Sequence, residues 1–145
     1  MKTIEVLLVD DNPADADLTR EALASNFCRI QIHSVVDGIC AMEYLRREGK
    51  YANARRPDFI ILDLSLPKMD GRMVLAAIKA DIVLRQIPIT IFSTSQAPQD
   101  VQRSYDLGAN CYVSKPGNLT GFMSVVKSIA EFWFDSARLP NEEEQ

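Results

Sequence analysis

The sequence predicts a single α/β domain: a doubly wound, five-stranded parallel sheet with helices on both faces. Three observations carry this. Five short runs rich in branched residues alternate with segments whose apolar residues recur every three or four positions, which gives the order βαβαβαβαβα. The runs at residues 6–9 and 59–62 are apolar on both faces, as strands of a parallel sheet covered from both sides must be. A length of 145 residues suits one ordinary domain with a real core. Sheets of this kind bind ligands in the crevice at the carboxyl ends of their strands, so the strand ends are the place to look for chemistry.

The first predicted strand, residues 4–9, ends in Asp10-Asp11-Asn12-Pro13. Asp11 and Asn12 suit helix capping ahead of Pro13, or Asp10 and Asp11 form a charged corner of a site; the pair alone leaves both readings open. Leu18 and Ala22 mark the helix that follows. The second run, residues 30–36, contains His33, the only histidine, which reads as structural. Ile39, Met42 and Leu45 mark the second helix. Arg46, Arg47, Lys50, Arg55 and Arg56 follow it, where cations oppose the negative end of a helix dipole.

The third run, residues 59–64, holds Asp63 inside an apolar strand, where an unpaired carboxylate is costly. Val74, Leu75 and Ile78 mark the third helix. The fourth run, residues 87–92, ends in Ser93-Thr94, and the fifth, residues 111–113, is followed by Lys115-Pro116. The last helix is expected over residues 119–136, with Leu119, Phe122, Val126, Ile129 and Trp133 facing the sheet. Met123, Ala130 and Phe134 form a second apolar stripe around it. With Phe132, these are the candidates for a homodimer through the face made by the fourth helix, fifth strand and fifth helix.

Composition bounds the function. The chain is 47% hydrophobic and 25% charged, with no apolar run near the roughly 18 residues of a membrane span. No signal peptide is read at its start, so a cytoplasmic location is expected. A net charge of -4 argues against nucleic acid as a partner. Cys28, Cys40 and Cys111 suggest neither a disulfide framework nor a zinc site, and read as small buried residues.

In a sheet of this kind Asp10, Asp11, Asp63, Ser93 and Lys115 are expected to meet at one edge. Two unit charges about 4 Å apart repel by about 4 kcal/mol at an effective dielectric of about 20, so three carboxylates need counter-charge. Lys115 and a hard divalent cation such as Mg²⁺ would supply it. That combination is a phosphoryl-transfer site, with Asp63 as nucleophile and Lys115 and Ser93 holding the remaining phosphoryl oxygens.

These residues carry a family resemblance. Leu8-Val9-Asp10-Asp11-Asn12, the segment Asp63-Leu64-Ser65-Leu66-Pro67-Lys68-Met69-Asp70-Gly71, Phe92-Ser93-Thr94, Leu107-Gly108-Ala109 and Tyr112-Val113-Ser114-Lys115-Pro116 together resemble a receiver domain of the two-component response regulators. The resemblance implies a flavodoxin-like strand order 2-1-3-4-5. It implies that Asp63 accepts a phosphoryl group from a partner histidine kinase, with Asp10, Asp11, Asp63 and the Ser65 backbone carbonyl around Mg²⁺. It further implies that Ser93 and Tyr112 act as the switch pair, that Lys115 contacts the phosphoryl oxygens, and that Pro116 follows a cis bond. Segments 43–51 and 56–58, Glu131-Phe132-Trp133 and Leu139-Pro140 resemble the stand-alone regulators that partner phytochrome-type histidine kinases.

The expected layout is a receiver domain over residues 1–136 and an acidic, disordered tail over 137–145, with output passing to another protein. Three rival readings remain: a phosphorylation-independent binding module, a haloacid-dehalogenase-type phosphatase and an FMN-binding module. The phosphatase needs a second aspartate where Ser65 stands. The FMN module needs a loop of amide donors where Asp10 and Asp11 would repel phosphate.

Overall fold

In a computed structural model, which describes residues 3–26 and 29–140, β1 (Ile4–Val9) lies inside the sheet between β2 (Ile30–Val35) and β3 (Phe59–Leu62). β4 (Ile89–Ser93) pairs with β3, and β5 (Cys111–Ser114) closes the far edge; every pairing is parallel and the order is β2-β1-β3-β4-β5. The order reverses between β1 and β3. Val9 stands opposite Leu62 at the ends of these strands, so the next residues, Asp10 and Asp63, leave the sheet side by side at the switch point.

Alternate residues of the central strands feed two core layers. Leu7, Val9, Ile60, Leu62, Ile89 and Ile91 pack with α2 (Gly38–Arg46) and α3 (Gly71–Ala80). Val6, Leu8, Phe59, Ile61 and Phe92 pack with α1 (Pro13–Asn26) and α5 (Leu119–Ala130). This two-sided burial is why β1 and β3 read as continuous apolar runs; each large side chain so buried contributes about 1.5–3 kcal/mol. The edge strand β2 alternates half-buried and exposed residues instead, with only Val35 fully buried, and α4 (Pro98–Asp106) buries little beyond Ser104. His33 is structural, stacked on Tyr44 at 4.4 Å.

Caps fix where the helices begin. Asn12 Oδ1 accepts the Asp15 N–H at 3.1 Å ahead of Pro13, which settles the capping question in favour of Asn12. Asp37, Asp70 and Asn118 cap α2, α3 and α5 through their side chains. Asp37 also ends β2 one residue early: Val36, expected in the strand, is 59% exposed between the ladder and the cap.

The end of the chain departs most from expectation. α5 stops at Ala130, and Glu131–Ser136 winds as a π-helical turn, with the Ala137 N–H on the Phe132 carbonyl at 2.7 Å. The wider winding brings adjacent residues Trp133 and Phe134 to the same ring, Phe59, at 5.1 and 5.4 Å. Of the dimer-face candidates, Phe134 is brought onto the core by this winding, Met123 packs on the core and Ala130 is fully buried within regular α5, whose buried face is wider than expected; only Phe132 is open. Leu119, expected to face the sheet, is 62% exposed because it sits on the first turn beyond the strand ends.

The packed chain runs past the boundary expected at residue 136, since Leu139 is buried and Pro140 lines a shallow hollow with Arg56, Pro57 and Ile87. Residues 141–145 of the expected tail, and Cys28, lie outside the described residues. Cys40 and Cys111 are free and half-buried, so they are less buried than their reading as core residues requires.

Candidate functional site

Asp10, Asp63 and Lys115 are each less than a tenth exposed at the carboxyl ends of β1, β3 and β5. Strand pairing delivers them: the Asp10 N–H is held by the Val35 carbonyl, the Asp63 N–H by Val9, and the Lys115 N–H by Ser93 at 2.7 Å. Lys115 Nζ then donates to Asp10 Oδ2 at 2.8 Å, to Asp63 Oδ2 at 3.0 Å and to Asp15 Oδ2 at 3.0 Å. The second oxygens of the strand-end pair accept backbone amides, Asn12 N–H on Asp10 Oδ1 at 2.9 Å and Ser65 N–H on Asp63 Oδ1 at 3.2 Å. Both carboxylates are thus oriented by the main chain before any ligand arrives.

Burial pushes the Asp10 carboxyl above the usual aspartate range, aided by the Asp63 charge and opposed by its bonds to Lys115 and the Asn12 N–H. Burial alone would lower the Lys115 ammonium; its bonds to Asp10 and Asp15 and the charge of Asp63 outweigh that and hold it well above the ordinary lysine range. Lys115 is therefore a fixed cation at neutral pH.

Asp11 is exposed, and one of its oxygens lies within 4.8 Å of oxygens from Asp10 and Asp63. Three carboxylate oxygens converging at a half-open strand end form an all-oxygen donor set of the kind that suits Mg²⁺, Mn²⁺ or Ca²⁺. The residues present fit a divalent cation.

The remaining predicted residues lie around this cluster. Ser65 sits on the turn directly after Asp63. Ser93 is buried at the end of β4, next to β3, with its Oγ accepting the Ser95 N–H at 3.4 Å. Tyr112 on β5 donates its hydroxyl to the Ser95 carbonyl at 2.9 Å, so both proposed switch residues are tied to the loop between β4 and α4. The Lys115–Pro116 bond is trans, which corrects the cis expectation; no described peptide bond is cis. Trans is the intrinsically favoured X–Pro isomer, and with it Lys115 makes both its main-chain and its ammonium contacts.

Two features escaped sequence reasoning. Asp15 looks like an ordinary acid in a first helical turn, and nothing in its spacing marks it as a partner of Lys115, 100 residues away. Gly71 opens α3 against the Asp63 turn: a Cβ there would lie 2.2 Å from the Asp63 carbonyl oxygen. The neighbouring Asp70 cap was the available signal for that helix start.

Comparison with known proteins agrees with this geometry. The family model described as "Response regulator receiver domain" matches residues 6–127. Response regulator Rcp1 of Synechocystis sp. is 42% identical over 135 residues, which is 93% of this chain and 92% of Rcp1. The crystal structure of the phosphorylated cyanobacterial phytochrome response regulator RcpA is 50% identical with a TM-score of 0.93, across 96% of this chain and 99% of RcpA. The Mn²⁺-bound form of Rcp1 superposes with a TM-score of 0.91 at 41% identity, across 94% of this chain and 99% of that structure.

Proposed function

The chain belongs to the response regulator receiver domain family and is a signalling protein of the phosphoacceptor kind; from that premise we propose that Asp63 takes a phosphoryl group from a phosphohistidine of a phytochrome-type histidine kinase, with Mg²⁺ held by Asp10, Asp11, Asp63 and the Ser65 carbonyl. The single observation that carries this is the Lys115 ammonium held between buried Asp10 and Asp63 beside the Asp11 carboxylate. The likeness to Rcp1 and RcpA supports the choice of kinase, and the Mn²⁺-bound Rcp1 supports a divalent cation.

In the transfer, an Asp63 carboxylate oxygen forms a bond to phosphorus while the bond from phosphorus to the histidine nitrogen breaks and the electron pair stays on the imidazole. Phosphoryl transfer asks for positioning and charge more than for covalent chemistry. When bound, Mg²⁺ supplies positive charge to the transferring oxygens. Lys115 exchanges its bond to Asp63 for one to a phosphoryl oxygen. The acyl phosphate leaves roughly two negative charges at residue 63, which draw the Ser93 hydroxyl away from the Ser95 N–H. Because Tyr112 and Ser114 both donate to the Ser95 carbonyl, movement of that loop reaches β5. That displacement is the signal, and no separate substrate is turned over.

The same reading includes a cytoplasmic location and a homodimer through the face of α4, β5 and α5. Among the described residues no helix is long and apolar enough to cross a membrane. Tyr105 and Leu119, exposed on α4 and α5, and open Phe132 support the dimer face. The test is incubation with a phytochrome-type kinase, ATP and Mg²⁺, followed by intact mass and sedimentation. Wild type gains one phosphoryl group and Asp63→Asn gains none; equal uptake by both ends the proposal. A monomer before and after transfer removes the dimer alone.

A further inference from the structure

An ammonium has three N–H donors, and on Lys115 each is spent on a different carboxylate. Two of these, Asp10 and Asp63, also belong to the converging oxygen set that fits a cation. A divalent cation there would meet a lysine charge already bound to two of its three carboxylates, and the like charges would oppose each other. Asp15 is the remaining partner. It bonds the same Nζ at 3.0 Å, and it is neither the phosphoacceptor nor a member of that oxygen set.

We infer that Asp15 is a positioning residue: it holds the Lys115 ammonium on a carboxylate outside the cation site, so that lysine and divalent cation occupy the strand ends together. This rests on the receiver reading given above. Asp15 is built for the task. Its N–H is held by Asn12 Oδ1, its carbonyl accepts the Thr19 hydroxyl at 2.9 Å, and its side chain is 24% exposed. When a phosphoryl group occupies Asp63, Lys115 gives up one carboxylate for a phosphoryl oxygen and keeps Asp15. A general role for an acid near a helix N-terminus would require none of this, and exposed Asp17, two residues along the same helix, provides the comparison.

The experiment compares wild type, Asp15→Asn and Asp17→Asn, which carry the same charge change. Mg²⁺ affinity is measured by calorimetric titration, and the Lys115 ammonium is followed by its ¹H–¹⁵N correlation. Asp15→Asn is expected to weaken Mg²⁺ binding by about tenfold, the lower end for residues that orient a metal's partners. It should also shift the Lys115 signal. Asp17→Asn should stay within about twofold, as screening allows for an exposed charge, and leave that signal in place. An Asp15→Asn protein that binds Mg²⁺ like wild type, an unmoved Lys115 signal, or equal weakening by Asp17→Asn overturns the inference. Phosphoryl uptake by wild type is scored separately, so loss of the receiver reading and loss of the Asp15 role give different results.

Discussion

Replacing Lys115 by methionine keeps the unbranched apolar stem of the side chain and removes the charge that three carboxylates share. Lys115 is 3% exposed in its side chain, and its contacts lie between 2.8 and 3.0 Å, so little solvent screens them. Removing one partner of a buried ion pair typically costs about 3–5 kcal/mol, because the charge left behind stays buried. Here Asp10 and Asp63 are left facing each other, so Lys115→Met should lower stability in EDTA by about that amount, read from urea unfolding. The companion measurement is a double-mutant cycle. Asp63→Asn costs wild type a charge-assisted hydrogen bond, about 1.5–3 kcal/mol, but in the Lys115→Met background it removes a repulsion and should stabilise. Excess Mg²⁺ should restore much of the loss, since a ligand at a hundred times its dissociation constant adds about 2.7 kcal/mol. If Lys115→Met unfolds within about 1 kcal/mol of wild type in EDTA, or if Asp63→Asn costs the same in both backgrounds, the electrostatic reasoning for the site is refuted.

Other substitutions test the supports around it. Asp37→Ala removes the cap of α2, whose carboxylate accepts the Cys40 N–H at 2.7 Å, and should cost about 1 kcal/mol near neutral pH in urea unfolding. That amide bond, with the nearby Lys68 ammonium, holds Asp37 below the ordinary aspartate value of 3.8 against the opposing effect of burial. Its contribution is therefore full above 3.8 and is lost as pH falls through the lower folded value, so wild type and variant should converge in acid. Gly71→Ala forces a Cβ to within 2.2 Å of the Asp63 carbonyl oxygen and 2.6 Å of Leu64 Cα. Both are backbone atoms, so the variant should lose about 1–3 kcal/mol and take up phosphoryl groups more slowly by intact mass, although Asp63 itself is unchanged. Phe132→Ser removes the one open aromatic among the dimer candidates and, through its edge contact with Trp133, should cost about 1 kcal/mol, whereas Trp133→Ala, which strips a ring from Phe59, should cost about 3 kcal/mol.

The parts legible in the sequence were those where one residue type had one physical excuse. Residues 6–9 and 59–62 are apolar throughout because helices cover both faces, and that pattern pointed to a parallel sheet, while the strand order came from the family resemblance. Asp63 stood out because a carboxylate in such a strand needs a cation, and Lys115 provides it. Asp15 was hidden because an acid in a first helical turn already has a local explanation, while its bond to Lys115 depends on how α1 sits over the strand ends. The end of α5 departs from expectation for two other reasons: the backbone widens at Glu131 and turns Phe134 inward onto Phe59, and the buried face of regular α5 is wide enough to take in Ala130 as well. The cis bond before Pro116 came from resemblance alone, and no feature of the local sequence required it.

The phosphoryl group is assigned to Asp63 itself. That assignment is tested most directly by treating the Mg²⁺-loaded protein with a small phosphodonor, reducing it with borohydride, which converts an aspartyl phosphate to homoserine, and sequencing the peptides by mass spectrometry. Homoserine is expected at residue 63 in wild type and at no position in Asp63→Asn. Homoserine at Asp10, Asp11 or Asp15 with residue 63 untouched, or no reduction product at any aspartate, would contradict the assignment.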